Sequence, residues 1–548
     1  MSLCFAPRWK KKAKRVRAQM KLPEINAYQN HRAQQEKFGG INHTFGASGG
    51  ELYDMENLSA RYFPLLSPRA PRYTVRKDTE AGHGIFCAGK LFEAIGAALY
   101  VDGVEKAALS ENEKTFCALG ERVLIFPDKL VYEKDGTIKS MEASYSAAGL
   151  TFGSGTYADE KAEANSITTT GDPFPFNVGD AVAISGCESM PYNNRTPIIR
   201  EISEDKKTLR FYENTFRLPD GQESVTETST VTLKRSVPDM DYVCANENRV
   251  WGCKGDSIFA SKLGDPYNWN AFENLSTSSF SVESGTAGEF TACVSFLGYP
   301  CFFKEDKIFK MYGTVPTNFQ LMSSAVLGVM AGSHKSLAVA GETLFYLSKS
   351  GVMVYSGGMP RCISQNLGDD ARFSDAVGGS DGLNYYVSMK NGSGKTAFYC
   401  YNTTNGLWHK EDGLACVQMA YKDGIYAQTA DGCVLLGNPH SVPTGAVQES
   451  AVMSLAEFAD YDGGSFDAKH VQRVRARIEA EKGCEIVMLV KFDSGPWEEI
   501  DRIGPQDKDT NILSCPIRRC DHFRLRFKAK GQYRLYALEY EYVAGGRK

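Results

Sequence analysis

The chain predicts an all-β protein: a β-propeller of about seven blades with an inserted small β-barrel and a C-terminal β-sandwich. Three observations carry that prediction. Aromatics make up 11% of the 548 residues, with 27 Tyr and 30 Phe, and flat rings pack well on pleated sheets. Fifty-two glycines supply the positive φ that tight turns require. Short apolar strands joined by Gly/Asp/Lys turns recur along the chain, as in RVWGCKGDSIFASKL from Arg249, CFFKEDKIFKMYG from Cys301, TLFYLSKSGVMVYSGG from Thr343 and GIYAQTADGCVLLGNP from Gly424. Repetition of that kind is the mark of a repeat β architecture.

Residues 1–80 read as an extended N-terminal arm with a basic tail. Arg8, Lys10, Lys11, Lys12, Lys14, Arg15 and Arg17 place seven cations within ten residues, either as a solvated tail or as a docking segment for an acidic partner or DNA. Downstream, Pro64, Pro68 and Pro71 exclude a regular helix or central strand. Yet Leu52, Tyr53, Met55, Leu58, Tyr62, Phe63, Leu65 and Leu66 are too apolar for free linker, which predicts an arm laid over a folded surface. Residues 81–144 hold the first repeat units, beginning at Gly84 and Lys114. Residues 145–235 break the rhythm and read as an inserted barrel, with short strands around Val182, Ile184, Ile199, Ile202, Leu209 and Phe211.

Residues 236–440 resume the repeat, with units beginning at Asp241, Thr291, His334, Leu383 and Leu414. Each shows three of the four strands of a propeller blade. Trp251, Trp269 and Trp408 stand at repeat-equivalent positions and read as packing between blades, and Gly264-Asp265-Pro266 reads as a structural turn. Residues 441–548 alternate with period two, one face apolar and one charged, as strands of a sandwich do. Arg473, Arg475, Arg477, Arg524 and Arg526, with Arg534, read as an exposed ladder facing solvent, an acidic subunit or a DNA backbone.

The totals exclude several classes. A net charge of −4 gives no global nucleic-acid signal. No apolar run is long enough to span a bilayer, and the charged N-terminus has no apolar region of a secretory signal behind it. The 15 cysteines form no CxxC pair, which predicts reduced thiols and synthesis in a cytosol. No metal-ligand spacing, phosphate loop, nucleophile elbow or sialidase-type box appears. The expectation is therefore no catalytic residue, no metal, no cofactor and no enzymatic role.

The segment RVWGCKGDSIFASKLGDPYNWN resembles one found in propeller-bearing tail and head-completion proteins of tailed bacteriophages. GGELYDMENLSARYFPLLSPR is similar to the N-terminal segment of structural proteins encoded in phages and prophages of Gram-positive gut bacteria. The resemblance implies a virion protein of the tail nozzle or DNA-stabilisation type. Its partners would be copies of itself in a ring, portal, adaptor or other tail proteins, and packaged double-stranded DNA. It also implies a place in the tail or neck after synthesis in the bacterial cytoplasm. The competing expectations are a distal receptor-binding propeller for host glycan and a polysaccharide hydrolase.

Overall fold

The computed structural model describes residues 29–44, 46–47, 50–155, 165–212, 216–272, 275–368, 372–437, 439–464 and 466–544. Among them are strands and a few short 3-10 turns, with no α-helix, so no helix there is long and apolar enough to cross a membrane.

Seven antiparallel sheets form the propeller. Six are four-stranded and continuous in sequence, at 82–108, 115–140, 242–283, 292–324, 338–362 and 374–410. The first strand of each is innermost, and these strands adjoin one another around the ring, with blades four and five meeting through a shared apolar core. The seventh blade is built differently. Gln418–Tyr421, Ile425–Thr429 and Gly432–Leu436 are completed by Tyr73–Lys77 from the N-terminal segment, in the register Gly432↔Lys77 to Leu435↔Tyr73. The ring is thus closed by pairing the two ends of the propeller sequence, which removes one open edge.

The segment expected to lie over a folded surface is woven into sheets instead. Gln29–Gln35 pairs with Tyr533–Ala544 at one edge of the sandwich. Leu52–Glu56 pairs with Met453–Phe458 at the edge of the opposite sheet. The sandwich therefore has two five-stranded sheets, each owing one strand to the N-terminal region. Leu52, Met55, Leu58 and Leu66 are buried in a core that also takes in blade six and the sandwich interior. The prolines are compatible with this because Pro64 and Pro71 fall between strands and Pro68 sits in a two-residue bridge to Leu58.

The insertion between blades two and three spans 143–235 and holds six strands in one sheet. Its long strands, Ala143–Gly153 and Ser224–Arg235, pair along their length across a bulge at Gly149. The two edges of the sheet meet through a bridge between Ala181 and Ile198, closing it as a barrel around Phe152, Phe174, Phe176 and Phe211.

Where the chain passes from sandwich to propeller, Arg69 and Arg72 enter a buried ionic cluster. Arg72 donates to Asp412 at 2.6 Å and to Glu411 at 2.7 Å, and Arg69 donates to Glu449 at 2.7 Å. Glu411 and Asp412 follow the last strand of blade six, and Glu449 follows the edge strand Val447–Gln448. Replacing Arg72 by Met removes the strongest contacts to two carboxylates, Glu411 buried and Asp412 about a third exposed. Arg69 remains 3.6 Å from Glu411, so the expected loss is about 3 kcal/mol, at the low end for a broken buried pair. Denaturant midpoints of R72M, and partial recovery in R72M with Glu411→Gln, check this.

Candidate functional site

The most composite hollow lies between the N-terminal segment and blade six, with a volume of about 420 Å³. His43, Tyr53, Asp54 and Glu56 come from the N-terminal side, and Tyr399, Lys410 and Asp412 from blade six. A register shift between Leu52 and Asp54 breaks the alternation of the strand Leu52–Glu56, so that Leu52 and Met55 are both buried while Asp54 and Glu56 line the cleft. Lys410 Nζ lies 3.5 Å from Asp54 and 3.9 Å from Glu56. Burial, and then the charge of Asp54, push the Tyr399 phenol up to about 12. The His43 ring packs on Tyr53 at 4.7 Å, with Nδ1 2.9 Å from the Tyr53 carbonyl. The cleft joins three carboxylates, the ammonium groups of Lys395 and Lys410 and aromatic walls, a set suited to hydroxyl-rich ligands.

One end of the propeller's axial channel is bridged. The 3-10 turn His334–Ser336, on the way into blade five, sets His334 Nε2 3.0 Å and Lys335 Nζ 3.1 Å from Glu113, which precedes blade two. Lys335 also donates to the Val417 carbonyl ahead of blade seven, and Tyr242 of blade three packs on the His334 ring. Burial alone would raise the Glu113 carboxyl; the His334 hydrogen bond and the Lys335 charge outweigh it and bring it down to about 2.

The arginines expected as one ladder lie on two different sheets. Arg473, Arg475 and Arg477 belong to Lys469–Ala480, whereas Arg524 and Arg526 belong to Phe523–Lys530 in the facing sheet. Sequence periodicity places side chains on a face of a strand but does not say which strands share a sheet. Most of this charge is matched. Arg475 bonds Glu539 at 2.6 Å and Glu541 at 3.0 Å, Arg524 bonds Glu457 and Asp460 at 2.8 Å each, and Arg526 bonds Glu457. Arg534 bonds Glu479 at 3.0 Å. Arg477 donates to Thr510, and Arg473 is exposed with no partner among the described residues. Arg8, Lys10, Lys11, Lys12, Lys14, Arg15 and Arg17 lie outside the described residues.

Trp251, Trp269 and Trp408 are buried, Trp269 Nε1 donating to Pro266 and Trp408 Nε1 to Ile363. Around the Gly264-Asp265-Pro266 turn, Asn268 donates to Asp265 at 2.7 Å and to Asp180 at 3.1 Å, and accepts from the Ala181 amide at 2.9 Å. Asp180 also pairs with Arg235, and Tyr267 bonds Glu133 of blade two. The segment that stood out in the sequence therefore fastens the barrel to blades two and three. The 14 described cysteines are free thiols, and no group of His, Cys, Asp and Glu among the described residues is arranged to hold a metal ion.

No family model matches the chain, and no curated protein does. Among solved structures it is similar to an exo-beta-1,3-galactanase from Phanerochaete chrysosporium, at 10% identity over 54% of this chain and 94% of that one, with a TM-score of 0.22. A glycoside hydrolase family 43 arabinoxylan arabinofuranohydrolase from Bacillus subtilis matches at 8% identity over 56% and 95%, with a TM-score of 0.14. The expectation of a chain with no enzymatic role is corrected on this finding, since these matches are glycoside hydrolases. Likenesses this shallow carry no substrate, mechanism or catalytic residue over to the present chain.

Beside the cleft, His409 is fully enclosed on the last strand of blade six, its Nδ1 without a partner among the described residues. Burial pushes its imidazole down to about 4. The unfolded chain titrates near the ordinary value of about 6.5, so between those values it binds a proton that the folded chain does not. Stability therefore falls as pH drops from 6.5 toward 4, by roughly 3 kcal/mol from this group. Melting curves across that window should show a shallower pH slope for His409→Leu than for the parent chain.

Proposed function

We propose that the chain is a structural subunit of a tailed-bacteriophage particle, several copies forming a ring in the tail nozzle or neck. Portal, adaptor or other tail proteins would be its neighbours, with packaged double-stranded DNA at the ring centre. The observation that supports this reading is a pair of open edges on one sandwich sheet. Gln29–Gln35 and Gln506–Leu513 end the same sheet at opposite sides, each paired on one flank only among the described residues. An unpaired edge is a template for another strand. One copy's first edge meeting the next copy's second edge is a head-to-tail contact, the kind that closes into rings. The two edges match in length, 7 and 8 residues. They differ in charge, the first carrying Arg32, paired within its own sheet to Glu539, and the second Asp507, Lys508 and Asp509, and Ile512 near the end of the second is 61% exposed. The bridged axial channel favours a DNA path through the ring centre over one through each propeller.

A second reading, a distal propeller that binds or hydrolyses host-surface polysaccharide, draws on the cleft of Asp54, Glu56 and Asp412. Glycoside hydrolysis needs two carboxyl groups flanking the sugar bond, and aromatic walls suit sugar rings.

Light scattering and electron microscopy of the purified chain are expected to show rings, and Ile512→Lys should shift them toward monomer. A monomer both free and within the parent particle sinks the ring reading. For the second reading, reducing ends should appear when the chain is incubated with host wall polysaccharide and should be lost in Asp54→Asn with Glu56→Gln. Neither cleavage nor retention of that polysaccharide would eliminate it.

A further inference from the structure

A different hollow, of about 390 Å³, opens between blades three and four, within the range of roughly 300–1,000 Å³ typical of small-molecule sites. Arg249 and Trp251 reach it from the second strand of blade three, and Tyr299 and Tyr312 from the second and third strands of blade four. Phe319 completes the wall, packed edge-on against Trp251 at 5.1 Å. Tyr299 and Tyr312 lie with ring centres 4.7 Å apart at 37% and 36% exposure, and neither phenol has a hydrogen bond among the described residues.

Arg249 is the unusual member. It is 2% exposed, it pairs with no carboxylate among the described residues, and its guanidinium lies over the Phe319 ring, 5.7 Å from the centroid. Its Nη1 donates to the Ser261 and Ser278 carbonyls and its Nη2 to the Ser276 carbonyl, each at 2.7 Å. Three of the five guanidinium N–H groups are thereby used, and Nε has no partner. The carbonyls explain how Arg249 clamps the loop that carries Trp269. Carbonyl dipoles and the Phe319 face offset part of the charge, but no counter-ion among the described residues neutralises it, and a buried cation without one is costly. The one carboxylate in the lining, Glu247, is exposed and does not pair with Arg249.

We propose that this hollow binds an acidic sugar, a uronic-acid unit whose carboxylate supplies the charge that Arg249 lacks. The sugar ring would lie among Trp251, Phe319, Tyr299 and Tyr312, an arrangement in which aromatic faces take the apolar face of a pyranose and the phenols take its hydroxyls. The site stands apart from both the sandwich edges and the arm–blade cleft, so it holds or fails independently of ring formation and of any hydrolysis there.

The test is calorimetric titration and saturation-transfer NMR of the full chain with D-galacturonate, with D-galactose and acetate as comparators. Galacturonate is expected to bind at least about tenfold more tightly than galactose, as a charge-assisted hydrogen bond would provide, and more tightly than acetate. Tyr312→Ala, at a partly exposed position, should weaken galacturonate binding about tenfold, the loss of one aromatic wall. Arg249→Gln should abolish the preference for the acid; if that variant does not fold, Tyr312→Ala decides alone. Galacturonate no tighter than galactose overturns the proposal. So does acetate binding equally well, which would mark a bare anion site, or unchanged affinity in Tyr312→Ala.

Discussion

The arrangement of the whole molecule depends on the ionic cluster of Arg69, Arg72, Glu411, Asp412 and Glu449. Within four residues the chain leaves the sandwich, places two guanidinium groups among three carboxylates, and begins the strand that closes the propeller. Glu449 anchors the return path, its amide donating to the Arg72 carbonyl at 2.8 Å. An apolar contact at this place would hold the domains together but would not fix their angle. Charged groups with defined hydrogen-bond directions do, since any misalignment leaves the buried Arg69, Arg72 and Glu411 without their partners. Asp412 belongs to both the cluster and the lining of the cleft, so the geometry of that cleft is tied to the same constraint.

What the sequence disclosed and what it concealed divide along burial. The second strands of the blades, such as Arg249–Lys254, Tyr299–Lys304 and Thr343–Ser348, are almost wholly buried and read as apolar runs bounded by turns. Outermost strands such as Val104–Ala108 and Gln320–Ser324 are largely exposed and carry no apolar signal. The inner strand Ser374–Ser380 was hidden for the opposite reason. Gly378 and Gly379 sit so close to Ser336 and Met419 that a Cβ would come within 2.6 and 2.8 Å of them. A strand that needs glycine for close approach looks like a loop in sequence.

The candidate sites were less legible than the fold. Asp54 and Glu56 lie more than 300 residues from Lys410 and Asp412 along the chain, and no local motif connects them. Tyr73–Lys77 likewise gives no hint that its partner is Gly432–Leu436. Arginine alternation was visible, but the carboxylates that neutralise it, Glu457, Glu539 and Glu541, are on other strands. Pairing between distant strands is a property of topology, and periodicity does not encode it. The Gly264–Trp269 segment shows the reverse case, where turn chemistry was plain in sequence while its role as a fastener between domains required the barrel residue Asp180.

The pairing of Gln29–Gln35 with Tyr533–Ala544 has a consequence for biosynthesis. Ribosomes add about 5–20 residues per second, so Gln29–Gln35 waits on the order of half a minute to two minutes for its mate Tyr533–Ala544 to be made. Throughout that interval the nascent sandwich lacks one border, and the propeller ring stays unsealed until its seventh blade has emerged. The six sequence-continuous blades face no such delay, but the sandwich is completed only once Tyr533–Ala544 is made, and a chain truncated by a stop codon before it would leave Gln29–Gln35 without its mate.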